Sequence, residues 1–218
     1  GGHVLERMLL AARTDHSLAE YIESVGDSDP FPGGGSVAAV AGALGSALVA
    51  MVAGVTIGRQ RYTSVDAEMR DLRITAHTLA RELQDLSALD AEAYAHVTDA
   101  RRLPHSSVED SAPREAAIRS ALLHAIDIPL AVARISARVA RLARTVAESG
   151  NAHAITDAGV AVLLASAACT GASYSVRVNA RSLRDQSEGD AAVRESIALT
   201  SETEAVAASV ATLVRAAL

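Results

Sequence analysis

Apolar residues recur every three to four positions along almost the whole chain, and no stretch alternates with period two. That periodicity is helical. It predicts short helices over 4–13 and 17–25, the second capped by Ser17 and stopped by Gly26. Ser36 is the expected N-cap of a helix over 36–58. Long helices follow over 64–101, 113–149, 157–183 and 190 to the end, with a polar loop at 103–113 and a stop at Gly150-Asn151. Pro129 predicts a kink, because proline has no N–H to donate. The expectation is one all-α domain over 1–218, a multihelical bundle without repeats or linkers.

Two of these helices break the amphipathic pattern. Residues 30–58 carry no charge, and neither do 158–176. Either is long enough to span a bilayer. Their Ala, Gly, Ser, Val and Thr contribute weakly to insertion, however, and no aromatic belt flanks them. The preferred reading has no membrane partner: two central helices, apolar all round, wrapped by amphipathic ones. Ala38, Gly42 and Ser46, then Ala50, Gly54 and Gly58, recur four apart, which lets a neighbouring backbone approach closely.

One polar residue interrupts a core seam. Stepping four and three along 64–101 gives Val65, Met69, Leu72, Ala76, Leu79, Leu83, Leu86, Asp90, Ala93 and Val97, all apolar except Asp90. A carboxylate in an apolar seam either finds a cation or has its pKa raised. A raised pKa suits acid/base work near neutral pH. The structural alternative is a buried Asp paired with an Arg or capping another helix.

The second anomaly is the turn Pro32-Gly33-Gly34-Gly35-Ser36, which feeds a helix N-terminus. Three glycines permit positive φ and close backbone approach, and the free N–H groups favour an anion. No Gly-Lys-Ser/Thr follows and no strand precedes, so neither a P-loop nor a dinucleotide fingerprint is present. A tight turn for helix packing is the alternative.

Composition narrows the chemistry. All 20 basic residues are Arg, which excludes Schiff-base catalysis on Lys and a Walker lysine. A net charge of −6 argues against a nucleic-acid partner. Cys169 is alone, so an internal disulfide, a Cys-rich zinc site and a CxxC pair are excluded, and a cytoplasmic location is the simple expectation. No signal peptide is read at the start, where Gly1-Gly2-His3 looks like an expression remnant. The 7 histidines include no i, i+4 pair, so no metal site is expected. His96 lies off the seam and is expected in solvent. Asn151 reads as an αL cap, Asp157 as an N-cap and Asn179 as a helix-end cap. Arg134, Arg138, Arg141 and Arg144 read as a solvated face.

Four stretches in order carry a resemblance. They are Pro30-Phe31-Pro32-Gly33-Gly34-Gly35-Ser36 running on through Gly45; Asp90-Ala91-Glu92-Ala93-Tyr94; Gly150-Asn151 with Thr156-Asp157; and Val176-Arg177-Val178-Asn179 with Ser182-Leu183. From Ser17 to near the C-terminus the chain resembles the cyclodeaminase/cyclohydrolase family of folate enzymes. The family comprises the C-terminal half of formiminotransferase-cyclodeaminase and stand-alone bacterial methenyltetrahydrofolate cyclohydrolases. The resemblance implies an all-α fold, an intertwined homodimer and a folate cleft near the glycine turn. It places the proton donor at Asp90. Three departures stand out: Gly58-Arg59-Gln60-Arg61-Tyr62 where Lys is usual, Tyr94 where Phe is usual, and Ala88 where a second acid often precedes the Asp.

Under this resemblance the substrate is a tetrahydrofolate derivative and no cofactor or metal is needed. Asp90 is the expected general acid/base. The N–H groups of Gly33, Gly34, Gly35 and Ser36 would meet a folate carbonyl or carboxylate. Tyr62, Tyr94, Asn151, Asp157 and Asn179 would position the pterin, and Arg59 or Arg61 would face the glutamate tail. Hydrolysis of the methenyl bridge is favoured slightly over cyclodeamination, since the chain carries no transferase domain, although a separate formiminotransferase is a possible partner. The competing class is a non-catalytic helical scaffold, or a relative recruited to another substrate.

Overall fold

The computed structural model describes residues 17–28, 31–104 and 108–218. The helix expected over 4–13 lies outside the described residues. Six α-helices follow in order: α1 Leu18–Gly26, α2 Gly34–Thr56, α3 Asp66–Arg102, α4 Val108–Ser149, α5 Ile155–Arg181 and α6 Asp190–Ala217. Short 3₁₀ turns join α2 to α3 (Gln60–Val65), α4 to α5 (Ala152–Ala154) and α5 to α6 (Gln186–Gly189). No strand occurs among the described residues.

Most boundaries fall within a few residues of expectation, and the exceptions have local causes. Ser17 caps α1 in a full capping box with Glu20. The cap of α2 is Gly33, not Ser36. Its extended backbone opens the helix early, and Ser36 becomes a buried residue of the first turn. α4 begins before Pro113, which lies inside its first turns, and it continues through Pro129 as one element.

The core lies where α2, α3, α4 and α5 meet, and α6 packs on α4 and α5. The heptad seam of α3 is buried from Met69 to Val97, with Val65 and Asp90 part-buried. α2 and α5 run antiparallel in close contact. A Cβ on Gly45 would lie 2.9 Å from the Ala161 carbonyl oxygen, one on Gly42 3.3 Å from the Ala168 Cβ, and one on Gly171 3.2 Å from the Ala38 Cβ. Small residues make this approach possible, as their spacing predicts.

The central pair is not wrapped on all sides. Val37, Leu44, Met51 and Val55 of α2 lie on one exposed face, beside Val160, Leu163, Tyr174 and Val178 of α5. Leu44 is 51% and Leu163 60% exposed. Among the described residues, the other helices cover only the opposite sides of the pair. By length and composition alone, four helices are apolar enough to cross a membrane.

Arg134, Arg138, Arg141 and Arg144 of α4 form an exposed face, as expected, and two of them make ion pairs with α6. Arg134 forms a two-pronged pair with Glu195, both contacts 2.6 Å, and Arg141 pairs with Glu202. Both bridges run from α4 to α6.

Candidate active site

α2 starts without a side-chain cap, so its first N–H groups have no helical acceptor; the first helical bond runs from the Val37 N–H to the Gly33 carbonyl at 3.0 Å. Asp90 of α3 lies against this turn. A Cβ on Gly35 would sit 2.6 Å from Asp90 Oδ2 and 2.7 Å from its Cγ, closer than real atoms approach. Gly35 is required for space. The only positive φ among the described glycines is at Gly58, so the glycine turn serves close approach and not left-handed backbone.

Burial raises the Asp90 carboxyl above its ordinary pKa, and the Ser36 N–H opposes this by bonding the charged form. No arginine among the described residues is paired with it. The carboxyl is therefore held out of bulk water by packing and steadied by a helix N-terminus, with no guanidinium neutralising it. Of the structural alternative, the arginine pair is missing among the described residues, while the helix-capping role is present, since Asp90 takes the Ser36 N–H at the start of α2.

Asp90 opens into a cleft of about 320 Å³. Phe31 and Tyr94 form an aromatic wall, their ring centroids 4.6 Å apart and tilted by 55°. Gly34 lies at the edge with nothing within 4 Å of its Cβ position. Leu122 and Ala125 of α4 close the apolar side, and Ser175 and Asn179 of α5 supply polar atoms. Asn179 Nδ2 donates to the Ala125 carbonyl at 2.6 Å, tying α5 to α4 and leaving Oδ1 as an acceptor. Arg101 brings the one cation among the lining residues. A cleft this size, mostly apolar with a few convergent polar groups, suits a planar bicyclic ligand.

A larger cavity, about 800 Å³, adjoins the cleft and shares Leu122 and Ser182 with it. Its arginines are already paired, Arg119 with Glu188 and Arg184 with Glu115. The unneutralised carboxyl and the free N–H groups belong to the smaller cleft, which is where chemistry can occur.

The expected site residues divide into two groups. Gly33, Gly34, Gly35, Ser36, Asp90, Tyr94 and Asn179 come together. Ser36 offers only its N–H, because its hydroxyl turns away to Ser87 at 2.6 Å. Asn179 is a cleft residue and not simply a helix-end cap. Arg59, Arg61, Tyr62, Asn151 and Asp157 lie at the other end of α2, about 33 Å away for a helix of this length. There Tyr62 Oη accepts from the Ala152 N–H at 2.9 Å. Asn151 is extended, not αL; its N–H donates to Thr56 Oγ1 at 2.8 Å and its Nδ2 to the Val55 carbonyl at 3.1 Å. Asp157 sits inside the first turn of α5, whose N-cap is Ala154. Within one chain Tyr62 and Asn151 fasten the far end of α2.

Arg101 and Phe31 were not assigned roles from sequence. Asp90, Tyr94, Val97 and Arg101 fall at i, i+4, i+7 and i+11, one face of α3, and that spacing was legible. Among the described residues no group of three His, Cys, Asp or Glu side chains could hold a metal ion. His96 is exposed, as expected.

The formiminotransferase-cyclodeaminase family model matches residues 17–197. A methenyltetrahydrofolate cyclohydrolase of Methylorubrum extorquens is 39% identical over 192 residues, 88% of this chain and 92% of that protein. The formimidoyltransferase-cyclodeaminase of Rattus norvegicus is 33% identical over 171 residues, 78% of this chain but only 32% of the animal protein. The crystal structure of formiminotetrahydrofolate cyclodeaminase from Thermotoga maritima superposes with a TM-score of 0.84 at 27% identity, covering 93% of this chain and 97% of that one. With the family model spanning residues 17–197 and a 39% identical relative covered along nearly its full length, the chain belongs to the formiminotransferase-cyclodeaminase family.

Proposed function

We propose that this protein is a one-carbon folate enzyme that opens the bridge of 5,10-methenyltetrahydrofolate, with Asp90 as general acid/base. The observation that carries this reading is the part-buried carboxyl, unpaired with any described cation, beside open helix N–H groups at an aromatic-walled cleft. In the forward reaction water adds to the methenyl carbon and the carboxylate takes its proton. The carbon–N5 bond then breaks, Asp90 returns a proton to N5, and 10-formyltetrahydrofolate leaves with net release of one proton. A carboxyl with a raised pKa serves both steps. The Gly34 and Gly35 N–H groups would receive the carbinol oxygen as it gives up its remaining proton, the one released overall, and becomes the formyl carbonyl. Phe31 and Tyr94 would pack on a ring of the substrate, and Arg101 would meet a tail carboxylate.

Cyclodeamination is the second reading, favoured by the Thermotoga maritima structure. There N10 attacks the formimino carbon on N5 and the same carboxyl protonates the departing ammonia. The similarity to a cyclohydrolase along nearly its full length tips the choice toward hydrolysis. The test is loss of methenyltetrahydrofolate absorbance beside ammonia release from 5-formiminotetrahydrofolate. Loss of absorbance alone supports the hydrolase; turnover of neither ends the reading.

The exposed apolar face of α2 and α5 is read as the contact with a second copy, in keeping with the dimer the resemblance implies. An antiparallel two-fold pairing across α2 would carry the Arg59–Tyr62 end of one protomer toward its partner's Asp90 cleft. That would reunite the motif residues that one chain separates. Neither Arg59 nor Arg61 is in an ion pair, which leaves both available to an acidic tail. Such an enzyme would work in the cytoplasm without a bound cofactor.

A further inference from the structure

Behind the cleft runs a chain of hydroxyl groups that the mechanism does not use. Ser36 Oγ lies 2.6 Å from Ser87 Oγ on α3 and 3.3 Å from Tyr21 Oη on α1. Ser36 is 2% exposed, and none of the three side chains lines the cleft. The positions matter. Ser87 stands three residues before Asp90, almost one turn back on the same helix. Ser36 stands one residue after Gly35, whose missing side chain makes room for the carboxyl, and it supplies the N–H that bonds the carboxyl. The Ser36–Ser87 bond thus joins the first turn of α2 to α3 within a turn of the reacting group.

We propose that Ser87 is a positioning residue for Asp90: by bonding the Ser36 hydroxyl it holds the first turn of α2 against α3, so that the Ser36 N–H stays on the carboxylate. Tyr21 braces the same hydroxyl from α1. The inference rests on the reading of Asp90 as the acid/base group. Few other groups compete for control of its proton. The titratable side chains facing the cleft are Tyr94 and Arg101, both on α3, while α2, α4 and α5 place none among the lining residues. Tyr21 acts only through Ser36. When the clamp loosens, the N–H contact lengthens and the charged carboxylate loses its one donor.

The test uses Ser87→Ala, Ser87→Thr and Tyr21→Phe in the full chain. Asp90 is followed by carbon NMR of its labelled carboxyl, assigned with Asp90→Asn, alongside the pH profile of kcat/KM. Ser87→Ala is expected to raise the proton affinity of Asp90 about threefold or more and to move the acid limb of the profile by the same factor, with KM unchanged. Ser87→Thr, which keeps a hydroxyl, is expected to stay at the wild-type midpoint, and Tyr21→Phe to shift it in the same direction by less. An unmoved Asp90 midpoint in Ser87→Ala overturns the proposal, as does an equal shift in Ser87→Thr. If the wild-type chain turns over neither folate substrate, the functional reading fails, while the NMR titration still decides the clamp.

Discussion

The Asp90 carboxyl occupies the space that a side chain at position 35 would fill. Gly35→Ala therefore forces either the carboxyl or the first turn of α2 to move. Overpacking of this kind costs about 1–3 kcal/mol. The expected result is a lowered Tm together with a fall in kcat/KM of about 100-fold, as the acid loses its alignment. Gly34→Ala is the control for folding: its Cβ meets nothing within 4 Å, so its Tm should match or exceed the wild type.

Asp90→Asn keeps the shape and removes the proton. Turnover should fall by about 10²–10⁴-fold. Stability should move the other way. Burial raises the carboxyl pKa in the folded state, so the folded chain holds this proton more tightly than the unfolded chain does. Its contribution to stability is complete below the ordinary carboxylate range and is lost as pH rises through the raised folded value. At neutral pH the Asn variant should melt above the wild type, the gap closing as the pH is lowered through the raised folded value into the ordinary carboxylate range. Thermal scans across pH check the sign.

Arg101→Gln should separate binding from chemistry. Its guanidinium lines the cleft and is not paired with Asp90. The expected outcome is a KM raised about tenfold with kcat within about twofold. A fall in kcat with unchanged KM would place Arg101 at the reacting centre and not at the tail.

Leu163→Glu places a charge in the middle of the uncovered α2/α5 face. Sedimentation in detergent-free buffer should show a dimer for the wild type and a monomer for the variant. The monomer should keep its helical circular dichroism and lose at least about tenfold in kcat/KM, because the partner's Arg59 and Arg61 leave the cleft. A variant that stays fully active as a monomer would confine the site to one chain.

The helices and the acid could be read from sequence because their signals are local. A period of 3.6 marks the amphipathic helices, α2 and α5 show as long uncharged runs, and Asp90 is conspicuous as the one polar member of its seam. The space at Gly35 needed the partner helix to become visible, since nothing in three consecutive glycines says which one a carboxyl will touch. Arg101 was hidden by distance along the chain, three turns beyond Asp90. Within one chain Tyr62, Asn151 and Asp157 lie at the far end of α2 from Asp90, which motif order could not show because it says nothing of which end of a helix each motif reaches. Arg134 and Arg141 are solvent-exposed as expected, but their partners Glu195 and Glu202 were hidden because they lie 61 residues away.

The glycine and alanine seam between α2 and α5 has a mechanical result. Backbones that meet with so little between them have no cushion of long side chains along which to slide. The two helices act as a single stiff rod, and the cleft cannot be entered by parting them. Admission of a ring system then depends on breathing of α3 and α4, where the longer side chains of Tyr94, Arg101 and Leu122 can swing.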